Sequence, residues 1–97
     1  MIALLAKLSA KEKRIVHSMQ LLGDSTRFKM FKLLSSNQEL CVSEMASQLD
    51  ISPSAVSQHF KSFEMLGLVT KKRTGQKICY IFSDDELVTE LRELTKL

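Results

Sequence analysis

The 97-residue chain contains one proline and three glycines, too few for a collagen-like, linker-rich or low-complexity protein. Its two cysteines, Cys41 and Cys79, cannot supply the framework of a small disulfide-stapled domain, so a cytoplasmic protein with reduced thiols is expected. Long apolar runs are missing. The run at the start, Ile2 to Ala6, has its charges after it, the wrong order for a secretory signal, and is too short to span a bilayer. No membrane association is therefore expected. Nor is there a paired-carboxylate site, a Ser or Cys set beside a histidine, or a glycine-rich phosphate loop, which argues against an enzyme and against a bound cofactor. Glu86 and Glu90 share a helical face, which a solvated acidic surface explains. With no internal repeat and no linker, the length fits one domain over residues 1–97.

Positive charge is unevenly placed. Residues 1–33 carry seven Lys/Arg, residues 34–60 none, and residues 61–77 carry Lys61, Lys71, Lys72, Arg73 and Lys77 against Glu64. The stretch 84–97 is acidic, with Asp84, Asp85, Glu86, Glu90 and Glu93 against Arg92 and Lys96. A basic segment beside an acidic tail suits a polyanionic partner.

Punctuation and periodicity divide the chain. Ser9-Ala10-Lys11-Glu12 is a capping box ahead of Ile15, Val16, Met19 and Leu22 at helical spacing, and Gly23 stops that helix. Asp24 caps the next, with Phe28, Phe31 and Leu34 on one face and Met30 and Leu33 nearby. A short helix over Val42–Leu49 directs Met45, Ala46 and Leu49 inward. After a turn at Asp50-Ile51, Ser52 caps a further helix with Pro53 at its first position and Val56, Phe60 and Phe63 as its buried stripe. Leu68–Arg73 and Lys77–Phe82 read as two strands joined through Thr74-Gly75-Gln76. Their alternation groups Ile78, Tyr80 and Phe82 on one face and sets Cys79 and Ile81 on the outward one. Ser83-Asp84-Asp85-Glu86 reads as a second capping box, opening a last helix with Leu87, Leu91 and Leu94 in line.

Two closely spaced helices followed by a basic hairpin and a closing helix make a winged helix-turn-helix, mainly α with a small β-hairpin. The helix starting at Pro53 presents Ser54, Ser57, Gln58 and Lys61 at i, i+3, i+4 and i+7, opposite its apolar stripe. Gln58 suits adenine, Ser57 several bases, and Lys61 a phosphate. Lys71, Lys72, Arg73 and Lys77 place four cations around one turn, where phosphates would relieve their repulsion. A double-stranded DNA operator is the expected partner. Leu4, Leu5 and Leu8 near the start and Leu87, Val88, Leu91, Leu94 and Leu97 near the end exceed what one small core can cover, which points to a homodimer through the terminal helices.

The segments LGDSTRFKMFKLL (Leu22–Leu34), ELCVSEMASQLDIS (Glu39–Ser52), PSAVSQHFKSFEMLGLV (Pro53–Val69) and RTGQKICYIF (Arg73–Phe82) resemble the ArsR/SmtB family of winged-helix repressors. That resemblance implies a homodimer that represses by binding an operator and is released by an inducer. It also implies two places for metal. The family's Cys-Val-Cys pattern reads Cys41-Val42-Ser43 here, and the last helix, where the family uses Asp and His, has no histidine. With one thiolate where a soft metal needs two or three, no metal site is expected. His17 is expected at the surface or an interface, and His59 at the edge of the buried stripe. Cys41, at or beside a helix N-cap, is a candidate thiol sensor. Cys79 is expected on a different element, so no bridge within one subunit is expected. Two alternatives stand beside the operator-binding repressor. One is a redox or reactive-sulfur sensor acting through Cys41 with DNA binding as output. The other is a winged helix for protein contact, its basic wing meeting an acidic partner.

Overall fold

The computed structural model describes residues 7–96. Among these, α1 (Ala10–Leu22), α2 (Ser25–Ser35), β1 (Leu40–Cys41), α3 (Val42–Leu49), α4 (Pro53–Met65), β2 (Val69–Thr74), β3 (Lys77–Phe82) and α5 (Glu86–Leu94) follow one another. The antiparallel sheet has the order β1-β3-β2. The Leu4, Leu5 and Leu97 of the expected dimer stripe, and the Ile2–Ala6 run, lie outside the described residues.

The helix starts are set by their caps. Ser9 Oγ accepts from the Glu12 N–H at 3.0 Å, and Glu12 accepts from the Ser9 N–H at 2.9 Å, the reciprocal box expected there. These bonds to Ser9 hold the Glu12 carboxyl below the usual range. Asp24 accepts from the Arg27 N–H. Before α5 the cap is Asp85, not Ser83: Asp85 accepts from the Leu87 N–H at 2.8 Å. Ser83 is used by the sheet, its N–H donating to the Leu68 carbonyl and its hydroxyl lying 3.3 Å from that of Thr70.

A core of Met30, Phe31, Leu34, Met45, Val56, Phe60, Phe63, Leu68 and Tyr80 joins α2, α3, α4 and the sheet. The Phe60 and Tyr80 rings stack at 4.1 Å between centroids, and Phe31 meets Phe82 at 4.9 Å. Each such burial contributes about 1.5–3 kcal/mol. Three apolar stripes read from spacing are displaced. In α2 the inward residues are Met30, Phe31 and Leu34, with Phe28 half-buried. In α5 they are Val88 and Leu91, while Leu94 is 66% exposed.

The largest change is in α1, where Ser18 and Leu21 face inward and Val16 and Met19 are exposed. Arg14 sets that rotation. Its guanidinium donates to the Leu66 carbonyl at 2.9 Å, the Gly67 carbonyl at 3.4 Å and Asp85 at 2.6 Å. The helix is thus locked to the end of α4 and the start of α5. Ser18, one turn on, fits the close approach because its hydroxyl bonds the Arg14 carbonyl.

Candidate nucleic-acid interface

The helix-turn-helix is α3–α4. Its turn closes through Asp50, a non-glycine residue in the left-handed region at φ 54°, which a short polar side chain tolerates. The N–H groups of Asp50 and Ile51 both bond the Ala46 carbonyl. Ser52 then accepts from the Ala55 N–H at 3.1 Å, with Pro53 at the first helical position. So fixed, α4 buries Val56, Phe60 and Phe63 and exposes Ser54, Ser57, Gln58 and Lys61. None of these four side chains makes a hydrogen bond or ion pair among the described residues. His59 is half-buried and His17 exposed.

The wing is a hairpin closed by the two-residue loop Gly75-Gln76, with Gly75 at φ 62° as such loops require. Lys71, Lys72, Arg73 and Lys77 are all exposed, but the register separates them. Lys71 is opposite Tyr80 and Arg73 opposite Ile78. They therefore share the sheet face on which Tyr80 stacks against Phe60 of α4. Lys72, opposite Cys79, and Lys77 take the other face. Lys72 is held there by Glu39 at 3.0 Å, a partner that spacing along the chain does not reveal. The register thus sets Lys71 and Arg73 on the sheet face that packs against α4 and Lys72 and Lys77 on the other.

The expectation that no bridge forms between the cysteines of one subunit is corrected. Cys41 and Cys79 are directly opposite one another in the β1–β3 register, with Cα atoms 3.7 Å apart, and are joined by a disulfide. Cys79 does lie on the face opposite Tyr80, yet bonded to Cys41 it is buried, at 1% exposed. What spacing missed is β1 itself, since two residues have no period to read. Cys41 also caps α3, its N–H donating to Glu44 at 2.9 Å. The ligating atoms of Glu39, Cys41 and Cys79 lie within 4.8 Å of one another, so a second sulfur and a carboxylate stand where a lone thiolate was expected. Three donors fall one short of a closed tetrahedral site, and a disulfide offers no thiolate to a metal.

Two helices at a tight turn, with a basic hairpin stacked on the second, define a winged helix-turn-helix fold. The profile of the bacterial regulatory protein, arsR family, matches residues 24–71, and the chain belongs to that family. The cadmium resistance transcriptional regulatory protein CadC homolog of Staphylococcus aureus is 36% identical over 72 residues, 74% of this chain and 59% of that protein. The transcriptional repressor SmtB homolog of Synechocystis is 32% identical over 73 residues, 75% and 54% of the two chains. The chain thus spans between half and two thirds of the length of these relatives. Among solved structures, HlyU from Vibrio cholerae superposes with a TM-score of 0.78 at 29% identity, covering 90% of this chain and 92% of that one. No helix among the described residues is long and apolar enough to cross a membrane.

Proposed function

We propose that the chain is a sequence-specific DNA-binding transcriptional repressor, not an enzyme, acting in the cytoplasm as one domain and as a homodimer on a double-stranded operator. The observation that carries this reading is the packing of the basic wing on α4. Exposed Ser54, Ser57, Gln58 and Lys61 on α4 and exposed Lys71 and Arg73 on the wing are carried by two elements that the Phe60–Tyr80 stack joins. A helix of this width enters the major groove, where Gln58 pairs with an adenine edge and Ser57 with its neighbour. Lys61, Lys71 and Arg73 hold phosphates and set register. Lys72 and Lys77 add to the field of the wing from its far face. The repressor named among the relatives favours repression as the output. Exposed Leu8, Val16, Met19 and Leu94 on the first and last described helices and their flanks favour a homodimer.

The test is selection of bound duplexes from a random pool, followed by affinity measurements over a salt series. A duplex with an enriched motif, bound with a steep salt dependence, is expected. Salt-independent behaviour with no enriched duplex would instead favour the winged helix as a protein-contact module.

A further inference from the structure

The duplex-reading surface leaves Glu39, Cys41 and Cys79 without a part, and Lys72 meets Glu39 rather than that surface. All four gather on the sheet face turned away from it. Cys41 caps the first helix of the helix-turn-helix, while Cys79 lies in β3, the central strand of the sheet that carries the wing. The two are 38 residues apart in sequence, so their bond ties together the two halves of the surface. On that side the two-residue β1 ladder and the Glu39–Lys72 ion pair run alongside it. Access is unequal: Cys41 is 8% exposed and Cys79 1%. Beside them, within 4.8 Å of both sulfurs, sits the Glu39 carboxylate, held by Lys72. A surface ion pair of this kind opens at little cost, so a small reagent reaches Cys41 first.

We propose that Cys41 and Cys79 are a reversible dithiol–disulfide switch, acted on by small-molecule disulfides and thiols, that sets how firmly the wing is held to the helix-turn-helix and thereby the affinity for duplex DNA. Its output rests on the DNA-binding reading above. In the forward step the Cys41 thiolate attacks one sulfur of a disulfide RSSR and expels a thiolate RS⁻. The Cys79 thiolate then attacks the Cys41 sulfur of the mixed disulfide and expels the second RS⁻. The two protons of the cysteine thiols end on the two released RSH. The protein gives up two electrons and RSSR takes them. Two thiols reverse the sequence. In the bonded form Lys71 and Arg73 are fixed relative to α4. In the reduced form that geometry must be ordered on binding, which lowers affinity.

The experiment equilibrates the full chain in graded mixtures of reduced and oxidised glutathione. It reads free thiols by alkylation and mass, amide exchange in β2 and β3, and affinity for a duplex selected from the random pool. Oxidation should remove both thiols together within one chain and slow exchange in the wing. Affinity should rise about tenfold (about 1.4 kcal/mol) at the same glutathione ratio. Cys41→Ser and Cys79→Ala should each bind like the reduced chain and ignore the ratio. Because Cys79 is buried and its variant is at risk of misfolding, the wild-type series carries the test by itself. Thiols free at every ratio, bonds only to glutathione or between chains, or a bond that changes neither exchange nor affinity would overturn the switch. Should neither form bind any duplex, the DNA-binding reading fails; joint thiol loss with slowed exchange then still upholds the switch, and its absence overturns it.

Discussion

Gln58 and Arg14 do opposite kinds of work. Gln58 has a donor and an acceptor on one amide, is exposed, and its side chain bonds nothing within the described chain. Gln58→Ala should therefore cost about 1–3 kcal/mol at one base position while leaving the salt slope nearly unchanged. Binding to a cognate and a scrambled duplex across a salt series checks this, and an unchanged cognate-to-scrambled ratio would remove α4 from the major groove. Arg14 joins three elements through Leu66, Gly67 and Asp85. The side-chain hydrogen bond from Arg14 comes first among the causes that hold the Asp85 carboxyl below its ordinary value. A depressed carboxyl contributes stability that is present above its unfolded value, about 3.9, and is lost as pH falls through the folded value. Asp85→Asn, which keeps the cap but loses the charge, should cost about 1 kcal/mol near neutral pH, both partners being part-exposed. Its deficit should shrink below about pH 4. Denaturant melts of both proteins between neutral and acid pH measure that convergence, and a constant gap would rule the ion pair out as its source.

Among the elements, the wing shows how register reassigns residues that look equivalent in a line. Lys71-Lys72-Arg73 is one basic run, but alternation sends its middle member to the far face, where Glu39 holds it. Replacing Lys71 and Arg73 together by alanine should weaken all duplexes alike. It should also flatten the salt slope by about 1.8 units per subunit, at about 0.9 for each phosphate no longer neutralised. Lys72→Ala should change the slope less than either single variant on the other face. Equal slopes for all three would mean that the wing meets the backbone edge-on rather than by one face. The end of the same hairpin shows a second competition. Ser83 is a good helix cap by type, yet its N–H completes the sheet by bonding Leu68. The capping role therefore passes to Asp85, which Arg14 already fixes.

For the molecule as a whole, two quantities follow from what the described protomer leaves exposed and what it ties together. Leu94 is 66% exposed and Met19 57%, a poor arrangement for an isolated small domain and a good one for a paired one. Sedimentation at micromolar concentration should give about twice 11.0 kDa. Leu94→Glu, costing the protomer little because the side chain is solvated, should raise the monomer fraction. A wild-type monomer that binds one palindromic site tightly would refute the pairing. The Cys41–Cys79 bond closes a loop of 38 residues' separation, which by loop-closure entropy stabilises the fold by about 2–4 kcal/mol. Reduction should accordingly lower Tm by about 10–20 °C, measured by calorimetry with and without reductant. An unchanged Tm would mean that the crosslink does not form in solution.

The local pieces follow from the order of the amino acids. Caps at Ser9, Asp24 and Ser52, the proline after Ser52, the turn at Asp50 and the Gly75 hairpin all act within a few residues, so their chemistry is legible in order along the chain. The same holds for the two faces of α4, because Val56, Phe60 and Phe63 oppose Ser54, Ser57, Gln58 and Lys61 at a fixed 3.6-residue period. The remaining features depend on contacts between distant segments. The rotation of α1 is set by Arg14 reaching residues 52 and 71 positions away, against the apolar stripe of Val16 and Met19. The sorting of the wing cations depends on which face β3 turns to Phe60. The meeting of Cys41 with Cys79 depends on a two-residue strand that gains its hydrogen bonds only when β3 lies beside it. Each is a long-range pairing, and spacing along one chain cannot encode which partner lies across the gap.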